Sequence, residues 1–200
     1  MTNQRDYTLI IDKSGSMSII EPKFQKSRWE LVQESTLALA RKCDQLDANG
    51  ITVYTFSGKF RRYDNVNVSK VEQIFQENEP VGGTNLTAVL QDAINSFLQR
   101  KKSNQTSIGE TILVITDGEP NDRRSVFEII IQASKCLDAD EELAISFMQI
   151  GNDPSATKFL QALDDQLMEV GAKFDIVDTV TFDEMEDLTL TEVLLNAIED

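Results

Sequence analysis

The sequence predicts an α/β fold in which a doubly wound, mostly parallel sheet of six strands has helices on both faces. Short apolar runs alternate along the chain with longer amphipathic segments, which is typical of strands that alternate with helices. The run 112–115 has branched aliphatic side chains at four consecutive positions, which suits a strand that is buried on both faces. No repeat and no long linker rich in Gly, Ser or Pro divides the 200 residues, so we expect one domain over residues 1–200.

Six segments have the pattern of strands. They are residues 7–11, 51–56, 60–63, 111–116, 143–150 and 174–177. The third segment contains two arginines, which is common in a short strand at a sheet edge. Because strand–helix–strand connections join parallel neighbours, we expect the strand order 3-2-1-4-5-6, with the edge strand antiparallel.

The amphipathic segments predict the helices. Apolar residues at helical spacing indicate helices over about 26–46, 86–98 and 126–137. Asp153 followed by Pro154 is a favoured helix start, since the first residue caps the helix and the second fits its first turn. Thr189 and Glu192 have the spacing of a capping box, which predicts a last helix from about residue 189.

Composition excludes several classes of function. The chain has 19 Lys and Arg against 34 Asp and Glu, a net charge of −15, and no histidine. Histidine-based catalysis and histidine metal sites are therefore excluded, and binding to nucleic acid is disfavoured because it requires a basic surface. No apolar run approaches the ~20 residues of a membrane span. The first residues do not resemble a signal peptide, and two cysteines make no disulfide framework, so we expect a cytoplasmic protein. We also expect it to be a monomer.

Polar residues with oxygen-bearing side chains follow two of the predicted strands. Doubly wound sheets bind ligands at the carboxyl ends of the strands where the strand order reverses, here between the first and fourth strands. Asp12, Ser14 and Ser16 follow the first strand, and Asp117 follows the fourth. Thr84 lies in a glycine-rich loop before a predicted helix, and this loop can reach the same edge. We expect the five side chains to meet there.

Two carboxylates and three hydroxyls form a set of hard oxygen donors. Such donors select Mg²⁺, which we prefer here, with Mn²⁺ and Ca²⁺ as alternatives. Five side chains leave a coordination position open, and uncharged hydroxyls leave the cation electron-poor. The sequence therefore predicts a metal-dependent protein–protein interaction module, whose partner supplies an Asp or Glu carboxylate to the cation. We expect no binding to nucleic acid, no association with a membrane and no enzymatic activity.

Each of these residues alone has a simpler interpretation. Asp12, Ser14 and Ser16 could form a helix-capping turn, and Thr84 could cap the following helix. Asp117 followed by glycine is also a common turn. Their joint placement at one switch point favours a binding site.

Two other functions remain as alternatives. A Mg²⁺-dependent phosphatase or hydrolase of the haloacid dehalogenase type also has acids after its first and fourth strands. Such an enzyme needs a second Asp two residues after the first, where this chain has Ser14. The other alternative is a scaffold whose metal site is vestigial.

The motifs resemble those of the von Willebrand factor type A (VWA) domain, which has a Rossmann-like fold. Asp-x-Ser-x-Ser after the first strand, a Thr in a glycine-rich loop and Asp-Gly after the fourth strand are similar to the metal-ion-dependent adhesion site of that family. The order of elements also matches over nearly the whole chain. The resemblance implies that Ser14 and Ser16 bind the metal directly, and that Thr84 binds it in the ligand-competent state. It implies that Asp12 and Asp117 act largely through water.

Overall fold

The computed structural model describes residues 5–46, 50–103, 109–181 and 189–199. These residues form eight strands and six helices. The strands are β1 (Asp6–Asp12), β2 (Ile20–Glu21), β3 (Lys26–Ser27), β4 (Ile51–Phe56), β5 (Phe60–Val66), β6 (Glu110–Thr116), β7 (Leu143–Gln149) and β8 (Val177–Val180). The helices are α1 (Arg28–Leu46), α2 (Val68–Glu77), α3 (Leu86–Lys102), α4 (Arg123–Lys135), α5 (Pro154–Gln166) and α6 (Leu190–Glu199).

The main sheet has six strands in the order β5-β4-β1-β6-β7-β8. Only the pair of β4 and β5 is antiparallel among the described strands of this sheet. Counted along the main sheet alone, this is the predicted order 3-2-1-4-5-6 with an antiparallel edge strand, so that prediction is confirmed. Ile11 of β1 pairs with Ile115 of β6, which brings the carboxyl ends of these two strands side by side.

Helices cover both faces of the sheet, as predicted. Successive side chains of a strand point to opposite faces, and β1 shows this alternation clearly. Ile10 packs in a core with side chains of α3, α4 and α5, whereas Leu9 and Ile11 pack in a second core with side chains of α1, α2 and α6. No helix among the described residues is long and apolar enough to cross a bilayer.

Both predicted helix starts are confirmed. The Asp153 side chain accepts a hydrogen bond from Ser155 N at 2.8 Å and caps α5. Thr189 N donates to Glu192 Oε2 at 2.7 Å, and Glu192 N donates to Thr189 Oγ1 at 3.2 Å, which is a complete capping box.

Some elements differ from the predictions. The helix α2 and the small ribbon of β2 and β3 were not predicted, and the ribbon moves the start of α1 from residue 26 to Arg28. The last strand lies at Val177–Val180 rather than 174–177. The Asp164 carboxylate on α5 accepts hydrogen bonds from the backbone and hydroxyl of Thr179, at 2.9 and 2.8 Å, and thereby holds this later segment against β7.

Candidate metal site

Backbone hydrogen bonds join the three loops that carry the predicted site residues. Gly15 N donates to Gly82 O at 3.1 Å, which joins the loop after β1 to the loop before α3. Asn121 N donates to Thr84 O at 3.1 Å, which joins the loop before α3 to the loop after β6. Gly82 has φ +88, a conformation that other residues rarely adopt. All three loops therefore lie at one edge of the sheet.

Ser14, Ser16 and Asp117 are in direct contact at this edge. Ser16 Oγ donates to Asp117 Oδ1 at 2.9 Å, the two serine hydroxyls lie 3.1 Å apart, and Ser14 Oγ lies 3.5 Å from the same Oδ1. Ser14 and Asp117 are buried, whereas Ser16 is exposed. Ser14 precedes a short 3-10 helix, but its side chain does not cap that helix. Ser14 thus occupies the N-cap position of that helix, but its hydroxyl makes no capping bond and belongs to the cluster.

Asp12 lies beneath these residues and is fully buried. Its Oδ1 accepts from Ser14 N and its Oδ2 accepts from Thr116 Oγ1, both at 2.7 Å. Burial raises the pKa of Asp12 from 3.8 to about 6, because the charged carboxylate loses its hydration. The hydrogen bonds from Ser14 and Thr116 oppose this shift, and repulsion from Asp117 adds to it. A cation at this edge would stabilise the charged form of Asp12.

Arg28 is a further member of the site that the sequence did not indicate. This residue begins α1, and its Nη1 donates to Asp117 Oδ2 at 2.8 Å, while its Nε donates to Glu21 Oε1 at 2.6 Å. Gly151 lies against the guanidinium with φ +81, and a Cβ atom there would lie 2.3 Å from Arg28 Cζ. The absence of a side chain at Gly151 thus leaves the space that Arg28 occupies.

The charges in this group do not balance. Among the residues that the structure describes, Asp12, Asp117 and Glu21 are buried carboxylates, and the guanidinium of Arg28 forms its ion pairs with Asp117 and Glu21. Two negative charges are left without a counter-charge, which is costly at low dielectric. A divalent cation would supply the missing charge, and the hard oxygens of the cluster suit such an ion. The residues present therefore fit a divalent metal.

The site is not a carboxylate-rich metal centre. Over the described residues, no group of three or more Asp, Glu or Cys side chains has an arrangement that could hold a metal ion. Any ion bound at this edge therefore depends on the serine and threonine hydroxyls.

Thr84 is joined to the cluster by its backbone rather than by its side chain. It is half-buried, and among the described residues its hydroxyl makes no hydrogen bond. The following helix is capped by Asn85, whose side chain accepts from Ala88 N at 3.4 Å. The interpretation of Thr84 as a helix cap is therefore wrong. Its hydroxyl is uncommitted and lies on a loop that contacts the cluster.

The chain is similar in sequence to part of a larger known protein. One curated relative is the Calcium-activated chloride channel regulator 1 of Bos taurus, which is 26% identical over 170 residues, or 82% of this chain. The match covers 17% of that protein, so the chain spans about a sixth of its length.

Several solved structures are similar over nearly the whole chain. The alignment with the VWA domain of SpRpn10 has a TM-score of 0.67 and 14% identity, and it covers 96% of this chain and 94% of the SpRpn10 chain. The alignment with manganese-loaded TRAP protein of Plasmodium vivax has a TM-score of 0.59 and 15% identity, and it covers 99% of this chain and 74% of the TRAP chain. At these identities the likeness shows the fold. The vWA-TerF-like family model, described as the vWA found in TerF C terminus, matches residues 5–200. The chain therefore belongs to the vWA-TerF-like family of VWA domains.

Proposed function

We propose that this VWA domain is a metal-dependent protein–protein interaction module. A divalent cation, preferably Mg²⁺, binds at Asp12, Ser14, Ser16, Thr84 and Asp117, and an Asp or Glu of the partner completes its coordination. The observation that carries this proposal is the convergence of the Ser14 and Ser16 hydroxyls on the buried carboxylate of Asp117, which belongs to a group with an excess of two negative charges.

We propose two roles for the five residues, and existing hydrogen bonds of the two carboxylates support this division. The Asp12 oxygens accept from Ser14 N and Thr116, and the Asp117 oxygens accept from Ser16 and Arg28. These bonds hold both carboxylates in place and support their acting through water, as the family resemblance implies. The hydroxyls of the serines and of Thr84 are then the direct ligands.

The charge balance explains why the site would accept a partner carboxylate. The cation supplies two positive charges and an open coordination position. When the cation is bound, the net charge of the ion together with Asp12, Asp117, Glu21 and Arg28 is zero. An incoming carboxylate therefore meets no net negative charge at the site, although the whole chain carries −15.

Calorimetric titration with Mg²⁺, Mn²⁺ and Ca²⁺ tests the metal site. We expect the wild type to bind one ion, and both Asp12→Asn and Ser16→Ala to weaken this binding by tenfold or more, about 1.4 kcal/mol. The matched control is Ser18→Ala, since Ser18 is exposed on the same short 3-10 helix and its hydroxyl donates to Gly15 O. A wild type that binds no ion would support the vestigial scaffold. Phosphatase activity that requires both Mg²⁺ and Asp12 would support the enzyme.

Affinity capture tests the partner. We propose that the protein acts as a cytoplasmic monomer, so capture from a cytosolic extract with Mg²⁺ should retain a partner that EDTA releases. Asp12→Ala should retain none. Replacing the acidic residues of the captured partner one at a time should identify a single carboxylate on which binding depends. Light scattering of the pure protein tests the monomeric state.

A further inference from the structure

Exposed apolar side chains are concentrated next to the candidate metal site. The large apolar side chains that are exposed among the described residues are Ile19, Ile20, Phe60, Val81, Met168 and Val170. Ile19, Ile20 and Val81 are 48%, 62% and 60% exposed, and we call these three residues the apolar rim. Single exposed apolar residues are common on protein surfaces, but a group beside a polar site indicates an interaction surface.

Backbone hydrogen bonds place the apolar rim at both ends of the loop that carries Ser14 and Ser16. Val81 N donates to Lys13 O at 2.7 Å, at the beginning of this loop. Ile19 N donates to Ser16 O at 3.0 Å, at its end. A chain segment that placed a carboxylate at the metal would therefore pass within reach of these side chains.

The local fold does not require an apolar side chain at the exposed position 20. Ile20 and Glu21 form β2, and Glu21 points inward to Arg28, so alternation turns Ile20 outward. A polar residue at position 20 would serve the ribbon of β2 and β3 equally well. The sequence nevertheless has isoleucine at this position and also at position 19.

The net charge limits the kind of segment that can bind. A chain of −15 repels a segment with many acidic residues, so the metal can attract one carboxylate but not a run of them. The remaining affinity must come from uncharged contacts, and the apolar rim is where such contacts are available.

We propose that the apolar rim selects partner segments in which a single Asp or Glu is flanked by apolar side chains. This inference rests on the proposed function, because the carboxylate is the group that binds the metal. The apolar neighbours of the carboxylate contact Ile19 and Ile20 at one end of the loop and Val81 at the other.

Two synthetic peptides test this specificity. We would titrate the acetylated, amidated pentapeptides Gly-Leu-Glu-Leu-Gly and Gly-Ser-Glu-Ser-Gly into isotope-labelled protein, with Mg²⁺ or with EDTA, and follow binding by NMR. With Mg²⁺, the leucine peptide should bind roughly tenfold more tightly, since it buries apolar area on both sides of the carboxylate. The double variant Ile20→Ser/Val81→Ser should lose this advantage.

The other exposed apolar residues supply a matched control. Met168 and Val170 are 48% and 56% exposed, close to the values of the apolar rim. They follow α5, and nearby Lys173 N donates to Ser134 Oγ near the end of α4, which places them at the opposite edge of the sheet. The double variant Met168→Ser/Val170→Ser should keep the full preference for the leucine peptide.

The outcomes separate this inference from the proposed function. Equal affinity for the two peptides in Mg²⁺ would overturn the role of the apolar rim and leave metal-dependent binding of carboxylates intact. A leucine preference that persists in EDTA and disappears in Ile20→Ser/Val81→Ser would support the apolar rim but contradict the proposed function. Failure of both peptides to bind a protein that does bind Mg²⁺ would overturn the inference. Self-association of the wild type that Ile20→Ser/Val81→Ser abolishes would also overturn the inference, because a second copy of the chain would then occupy the apolar rim.

Discussion

The guanidinium of Arg28 donates from Nη1 to Asp117 Oδ2 at 2.8 Å, which ties the first residue of α1 to the loop after β6. The same side chain holds Glu21, so one buried cation orients two acids of the site. Asp12 instead accepts hydrogen bonds from the neutral groups of Ser14 and Thr116.

Removal of the Arg28 guanidinium should destabilise the metal-free protein. Arg28→Met leaves Asp117 and Glu21 buried without a counter-charge, at a cost of about 3 kcal/mol in the free energy of unfolding. Urea unfolding in EDTA measures this loss, and added Mg²⁺ should recover part of it by supplying positive charge. Arg124→Met is the control, because it removes only the exposed ion pair with Glu128 and should have little effect. Equal stability of the two variants would show that the buried pair is unimportant.

A side chain at Gly151 should disturb the site although this residue is not a predicted ligand. Gly151→Ala puts a Cβ atom on the guanidinium of Arg28 and forces a residue with φ +81 into a strained conformation, at a cost of about 1–2 kcal/mol for the backbone alone. We expect lower stability and weaker Mg²⁺ binding, measured by urea unfolding and calorimetry. Gly118→Ala is the matched control, because Gly118 follows Asp117 but has open space around it. If the two variants behave alike, Gly151 does not position Arg28.

In the metal-free protein, the contribution of Asp12 to the free energy of unfolding should decrease as the pH rises. Folding raises the pKa of this carboxyl from 3.8 to about 6, so the folded state holds the proton more tightly than the unfolded state. The contribution of Asp12 to the folding stability is therefore greatest when the pH is below its pKa in the unfolded state. This contribution is lost as the pH rises through about 6, its pKa in the folded state. Asp12→Asn removes this titration, and in EDTA its stability relative to wild type should improve by up to about 3 kcal/mol between pH 4 and 7.

Unfolding free energies at several pH values measure this difference. Burial also raises the pKa of Glu110, but Glu110 is present in both proteins and cancels in the comparison. Parallel stability curves for wild type and Asp12→Asn would contradict the prediction.

Binding of the partner should depend on Mg²⁺ more than on ionic strength. The arginines near the site are already paired, Arg123 with Glu119 and Arg124 with Glu128, so they offer little free positive charge to an acidic partner. Long-range repulsion from the chain is screened beyond roughly 8–10 Å at physiological salt. We expect EDTA to abolish binding and added NaCl to change the affinity only slightly. An affinity that EDTA leaves unchanged would show that the partner binds elsewhere.

The architecture and the position of the site follow from local patterns in the sequence. Strand and helix periodicities depend on near neighbours, and the connection rules for parallel strands then determine the strand order. The carboxyl ends of β1 and β6 meet at the switch point, so the motifs at Asp12 and Asp117 predicted where the site lies. Helix α2 also had a readable signal, since Val71, Ile74 and Phe75 have helical spacing after the cap Asn67.

Only the tertiary structure decided how the charges of the site are arranged. Arg28 and Asp117 are 89 positions apart, and their pairing depends on the ribbon of β2 and β3 and on the space beside Gly151. Likewise, the raised pKa of Asp12 depends on its burial under loops from distant parts of the chain. Burial and charge compensation are set by groups that meet only when the chain folds, and for that reason no local pattern in the sequence indicates them.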